Sequence, residues 1–246
     1  MIVPFDPDEP WICRDAIDAC NTVVGTLDDA GVLENGPRPD SVASAIVARC
    51  PPCRGGRGTA RTCKGWQLSL RPNVRLRGTV SGRDVVVLLE GWQDHRHAPR
   101  AAAGQAVLNA GSMSMTVIDP GGEILTRQHT DVANQGQAGP VGHLQLGGLP
   151  SLGPRPELEW LDQPRWPMPA MDIVLLAELA LYSFAPESWT RLRGNTAWRQ
   201  QIQRSESLAY GLWLGNMNSY WSQRGARSTW LGEQCNRATP WPRATP

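Results

Sequence analysis

The sequence predicts an α+β fold: N-terminal helices, a small antiparallel β unit, a long Gly/Pro arm and a C-terminal helical bundle of about three helices. Three observations predict it. Apolar residues recur at three- and four-residue steps near the N-terminus, the period drops to two from Trp66, and a nearly uncharged apolar run, Ile173–Ala185, opens the last third. The segments are 1–64, an acidic helical stretch with a Cys-containing basic loop; 65–135, the β unit; 136–169, the arm; 170–236, a Trp-rich helical unit; and 237–246, an extended tail.

Trp11 to Gly31 reads as a helix, with Ile12, Ala16, Ala19, Val23, Val24 and Leu27 on one stripe and Gly31 as its stop. After the turn Asn35–Pro39, Asp40 or Ser41 caps a second short helix, Val42 to Arg49, which Pro51-Pro52 ends. In the β unit Trp66, Leu68 and Leu70 alternate, as do Val74, Leu76 and Gly78. Asp84 to Trp92 is a β-branched run suited to burial on both faces. Ser81-Gly82 marks one hairpin turn and Asp119-Pro-Gly-Gly122 a second, between Met113–Ile118 and Glu123–Gln128.

Residues 136–169 are so rich in Gly and Pro that they read as an extended arm, a length of connection that is commonly functional. Asp172 to Phe184 is apolar nearly all round, so it is buried on most sides. Pro186 suits the first turn of a short helix to Leu192. Asn195 caps a third helix running to about Tyr220, with Trp198, Ile202, Ala209, Leu212 and Trp213 on one stripe. Glu178 and Glu206 sit on these apolar stripes and call for partners such as Arg191, Arg193 or Arg204. Arg237–Pro240 and Arg243–Pro246 repeat one another around Trp241-Pro242, which reads as an extended tail with an aromatic anchor.

The net charge of +1 conceals an asymmetry. Residues 1–40 carry nine acids against Arg14 and Arg38. Residues 41–83 contain no acid and nine bases: Arg49, Arg54, Arg57, Arg61, Lys64, Arg71, Arg75, Arg77 and Arg83. Such blocks pair within one molecule, pair between copies, or leave the basic one for phosphate, and DNA is then a partner. Of 24 basic residues only Lys64 is lysine, and arginine favours bidentate, stacked contacts. The N-terminus lacks a basic and apolar leader, and the longest apolar stretch, 13 residues, is too short to cross a bilayer as a helix. The expectation is a soluble protein without a membrane partner.

Eight of the eleven tryptophans lie in the last 87 residues. A unit of that size has difficulty burying them alone, so Trp160, Trp166, Trp198, Trp213, Trp221, Trp230 and Trp241 are candidate interface anchors beside their ordinary role in a core.

Chemistry-bearing motifs are sparse. Cys50-Pro-Pro-Cys53 is a CxxC knuckle able to aim two thiolates at zinc, with Cys63 as a third ligand, but no second pair completes the motif. Small buried thiols with one turn are the leading reading, so no cofactor is expected; zinc is the one the residues allow, and a disulfide or redox pair Cys50–Cys53 is a further alternative. Asp94-His95-Arg96-His97 spaces two imidazoles for chelation, but no third ligand cluster accompanies it in sequence, and a solvated loop after the Trp92 strand is the favoured reading. Arg54–Gly58 is a single RGG-like segment, and Gly58–Lys64 misses the phosphate-loop spacing by one residue. No GxSxG, HExxH or GxGxxG occurs. His129 and Asp131 form an acid–base spacing that any chain of this size offers. The expectation is a protein without a catalytic site.

Three stretches carry a resemblance: Pro164–Asp172 (PRWPMPAMD), Leu175–Leu208 (LLAELALYSFAPESWTRLRGNTAWRQQIQRSESL) and Arg227–Asn236 (RSTWLGEQCN). They resemble the helical part of virion structural proteins of tailed bacteriophages, of the head-to-tail connector type: a Pro-bounded lead-in, an "AEL…Y.F.P..W" helix and an "R.SE" helix. The resemblance covers about 75 of the 246 residues. It implies a virion protein, made in the host cytoplasm, that forms a homo-oligomeric ring and contacts neighbours such as portal or tail components. Residues 1–135 do not carry the pattern, so the position in the connector stays open. The runner-up reading is a zinc-stabilised nucleic-acid-binding protein using Cys50, Cys53, Cys63 and the basic block.

Overall fold

A computed structural model describes residues 13–34, 46–48, 63–97, 106–132, 142–146, 165–211, 213–214, 218 and 222. The fold is α+β. The described helices are α1 (Cys13–Asp29), α2 (Ile173–Phe184), α3 (Pro186–Leu192) and α4 (Thr196–Glu206), the last running into a π-helical turn, Ser207–Gly211. The strands are β1 (Ile46–Ala48), β2 (Gly65–Val80), β3 (Arg83–His97), β4 (Ala106–Ile118), β5 (Ile124–Val132), β6 (Gly142–Leu146) and β7 (Arg165–Pro167). They form one antiparallel sheet whose spatial order is the chain order, β1 to β7.

Local chemistry places the turns where the sequence puts them. Ser81 and Gly82 both have positive φ, the backbone of a tight two-residue hairpin. Asp119 closes the next hairpin, its carboxylate accepting the Glu123 amide at 2.7 Å. Gly31, at φ +68°, terminates α1 by donating to the Asp28 carbonyl, while Val32 donates to Leu27. The Asp172 carboxylate caps α2 through the Leu175 amide, Asn195 caps α4 through the Trp198 amide, and Pro186 opens α3.

Two elements differ from expectation. Ile46–Ala48, expected inside a helix over 42–49, is instead an edge strand paired with Trp66–Leu68. Its β-branched Ile46 and Val47 suit that role, and a weak local helix preference loses to pairing with a long strand edge. The expected arm over 136–169 also contributes β6 and β7 to the sheet, because Leu144 and Leu146 alternate with polar residues within the Gly/Pro-rich sequence.

One core joins the segments. Trp66, Leu68, Leu70, Val74, Leu76, Val85, Val87, Leu89, Met113, Met115 and Val117 line one sheet face. Against them pack Cys20, Val23, Val24 and Leu27 of α1, the apolar length of α2, and Trp198 and Ile202 of α4. The helical unit thus rests on the sheet, with α1 beside it, and is not a free-standing bundle. Gly78 permits this closeness, since a β-carbon there would sit 2.7 Å from Phe184 Cβ at the end of α2.

Candidate functional site

The period of two that sends Val85, Val87 and Leu89 to the helices sends Leu88, Glu90 and Trp92 of β3 to the opposite, outward face. Cross-strand register carries that face outward from Glu90 to Ser114 on β4 and His129 on β5, and from Trp92 to Ser112 and Asp131. The groups form a buried polar array. Arg127 Nη2 donates to Glu90 Oε1 at 3.1 Å and to Ser114 Oγ at 3.1 Å, Ser114 Oγ donates to the same Glu90 oxygen at 3.3 Å, and Asn73 Nδ2 donates to Glu90 Oε2 at 3.3 Å. His129 Nε2 lies 3.0 Å from Asp131 Oδ2, and Arg96 pairs with Asp94 at 3.2 Å. The Glu90–Arg127 pair is withdrawn from water and is held by the further bonds from Ser114 and Asn73, whereas Arg96 reaches solvent.

Trp92 sits at its margin, 42% exposed. Its cross-strand neighbours are Ser69 and Ser112, too small to cover an indole. Glu90 and Asp94 precede and follow it on the same face of β3.

The helix-covered face has one polar recess. His95 stacks on Trp66 at 4.7 Å and 12°, Gln93 donates to the Met171 carbonyl at 2.8 Å, and His95 Nε2 is 3.4 Å from Gln93 Oε1. With Cys20 and Asp172 these residues line a cavity of about 20 Å³, room for a single water. Burial, then the nearby Asp172 carboxylate, pushes the Cys20 thiol up to about 12, so it is protonated and unreactive at neutral pH. Burial likewise raises Asp172 above the usual carboxylate range, against the lowering pull of its cap bonds. Glu178 is also raised by burial, and its partner is the Trp189 indole N–H at 3.1 Å, with Arg193 stacked 4.6 Å over that ring. Glu206, expected on a buried stripe, is exposed.

The residues singled out in the sequence are dispersed. Cys63 is a buried core thiol, and Cys50 and Cys53 lie outside the described residues. Among the described residues no group of three His, Cys, Asp or Glu side chains is placed to hold a metal ion. His95 and His97 belong to β3, with His95 buried, where a solvated loop was expected. Lys64, Arg75 and Arg77 are exposed, and Arg75 meets the acidic segment at Glu34 at 2.9 Å, a pairing of the two charge blocks within one chain. Arg71 lies in β2, with its side chain outside the description, as are Arg49, Arg54, Arg57 and Arg61. Trp198 and Trp213, candidates for either an interface or the core, are 1% and 7% exposed in this chain; the α4 stripe packs Trp198 into the core under the sheet. Trp166 on β7 is 44% exposed; Trp160, Trp221, Trp230 and Trp241 lie outside the described residues.

Trp92 and the Glu90–Arg127 pair are the features that sequence reasoning missed. Trp92 ends a run that reads as buried on both faces, and its exposure follows from the serines opposite it, which only register reveals. Compared with protein-family models, with curated proteins and with solved structures, the chain matches none of them.

Proposed function

We infer that this chain is a non-enzymatic structural subunit that acts by assembling into an oligomer, as a virion protein of the tailed-phage head-to-tail connector type would. The observation that carries the reading is the pair of indoles left in water, Trp92 and Trp166, on a sheet whose neighbouring polar groups are engaged with one another. Large aromatics at the surface act as anchors when a partner covers them, and a half-exposed tryptophan gains on the order of 1–2 kcal/mol from that burial. The resemblance of 164–208 and 227–236 to connector proteins supports the same reading, and the Gly/Pro-rich stretches flanking β6 and the Trp241 tail are then arms that grip neighbouring subunits. The partners are further copies in a ring and adjoining virion proteins.

Sedimentation velocity over a wide concentration range, with electron microscopy of the heaviest species, tests this. A concentration-dependent, ring-shaped oligomer is expected. A protein that stays monomeric at every concentration, and whose tryptophan emission is unchanged on concentrating, overturns the reading.

A further inference from the structure

We propose that the open cleft between the two hairpin tips is a binding site for a small zwitterion, of about dipeptide size with apolar side chains, whose carboxylate meets Arg77 and whose ammonium meets Asp84. The site goes beyond the assembly reading and does not depend on it.

Unequal strand lengths make the cleft. The turns at Ser81-Gly82 and Asp119–Gly122 lie at one end of the sheet, but β4 pairs with β3 only from Val86 onward, so Arg83–Val85 project past it. The step leaves a cavity of about 490 Å³, within the range of small-molecule sites. Register sets its floor. Arg77 faces Val86 and Val86 faces Ile118 on the outward face, and those two half-buried apolar side chains are a surface that a carbon skeleton can cover.

The charges around that floor are divided. Arg75 is already neutralised by Glu34 at 2.9 Å, and one oxygen of Asp119 holds the second hairpin through the Glu123 amide. Arg77 and Asp84 line the same cleft, are exposed, and have neither an ion pair nor a side-chain hydrogen bond among the described residues. Arg77 stands on β2, Asp84 on β3 and Asp119 at the end of β4, so the cationic and anionic sides are one to two strand spacings apart, roughly 5–10 Å. A simple anion drawn to Arg77 meets two carboxylates, and a simple cation drawn to the carboxylates meets Arg77. A molecule with both charges on an apolar skeleton satisfies each side, and an unmodified dipeptide is the simplest one with that plan. The guanidinium suits its carboxylate because the fork donates to both oxygens, while the acids accept the N–H bonds of its ammonium.

The experiment is isothermal titration calorimetry of the full chain with three probes: the dipeptide Leu-Leu, N-acetyl-Leu-Leu, which lacks the ammonium, and Leu-Leu amide, which lacks the carboxylate. Leu-Leu is expected to bind, and each blocked form to bind more weakly by roughly fivefold or more, the scale of one partly exposed charged contact. Arg77→Gln is expected to weaken Leu-Leu by the same factor and to leave Leu-Leu amide unchanged, since the amide never used the guanidinium. Asp84→Asn does the converse with the acetylated form. Arg83→Gln, exposed on the other face of the same hairpin, is expected to change nothing. No binding of Leu-Leu at millimolar concentration overturns the proposal, as do blocked forms that bind as well as the parent dipeptide. So does an Arg77→Gln variant that weakens the amide as much as the dipeptide, because the guanidinium would then support the shape of the cleft and not the ligand.

Discussion

The two faces of the sheet handle burial in opposite ways. The face under the helices is mostly apolar from Trp66 to Val117, with Gln93 and His95 its polar recess, and is closed by α1, α2 and α4. The outward face buries Glu90, Ser114, Thr116, Arg127 and His129, and leaves Trp92 in water. Burial of apolar surface is the main favourable term in folding, so the first face supplies stability. A polar array withdrawn from water contributes little net stability and demands fixed geometry, so the second spends stability on shape and charge. That division assigns the fold to one side and the surface chemistry to the other.

The strongest way to break the first face is to empty it. Trp198 is fully buried between α4 and the rest of the core, so Trp198→Ala is expected to cost about 3–5 kcal/mol, read as a lowered denaturant midpoint. Its indole Nε1 has no hydrogen-bond partner among the described residues, so Trp198→Phe removes volume without orphaning an acceptor and is expected to cost clearly less. A Phe variant as damaged as Ala would show that the indole N–H holds the site together, contrary to an apolar face.

The outward face breaks differently. Arg127→Met leaves the Glu90 carboxylate buried without its cation, an expected loss of about 3 kcal/mol. Arg127→Met combined with Glu90→Met removes both charges and is expected to recover most of that loss. If instead the two losses add, the coupling between Glu90 and Arg127 is zero, the pair is not what each single change breaks, and the contrast between the faces fails. Equilibrium urea unfolding of the two single variants and the double gives the coupling directly.

How much of this was legible in sequence follows the same division. Features set by neighbours in the chain were readable: the α1 stripe from Ala16 to Leu27, the Ser81-Gly82 and Asp119–Gly122 turns, Pro186 at the start of α3 and the Asn195 cap. Features set by register were not. Glu90 and Arg127 are 37 residues apart and meet only because β3, β4 and β5 align, and neither position looks unusual within its own strand. Strands β1, β6 and β7 were obscured for a related reason, since strands of three to five residues draw their stability from the strands they pair with. Trp198 of α4 and Trp213 beyond it invited a reading as interface anchors because composition counts indoles without counting the sheet surface available to bury them. The candidate site was thus the least legible part, being made almost entirely of cross-strand relations.

The smallest effect tests a carboxylate placed against the apolar face. Asp172 caps α2, yet its largest perturbation is burial, which holds its pKa above the ordinary carboxylate value; on the outward face Glu90 and Asp94 each have a guanidinium beside them. Because the folded pKa is raised, the folded chain binds a proton more tightly than the unfolded one. Asp172 therefore contributes most below its unfolded value of 3.8, and that contribution is lost as pH rises through the folded pKa. Asn caps a helix as well as Asp does and carries no charge to desolvate. Asp172→Asn is accordingly expected to leave stability unchanged at low pH and to raise it at neutral pH by under about 1 kcal/mol, flattening the profile between. A variant less stable than the parent at neutral pH would mean that the charge itself is wanted at the head of α2, where the helix dipole favours an anion. The apolar face would then depend on an ionised group much as the outward face does.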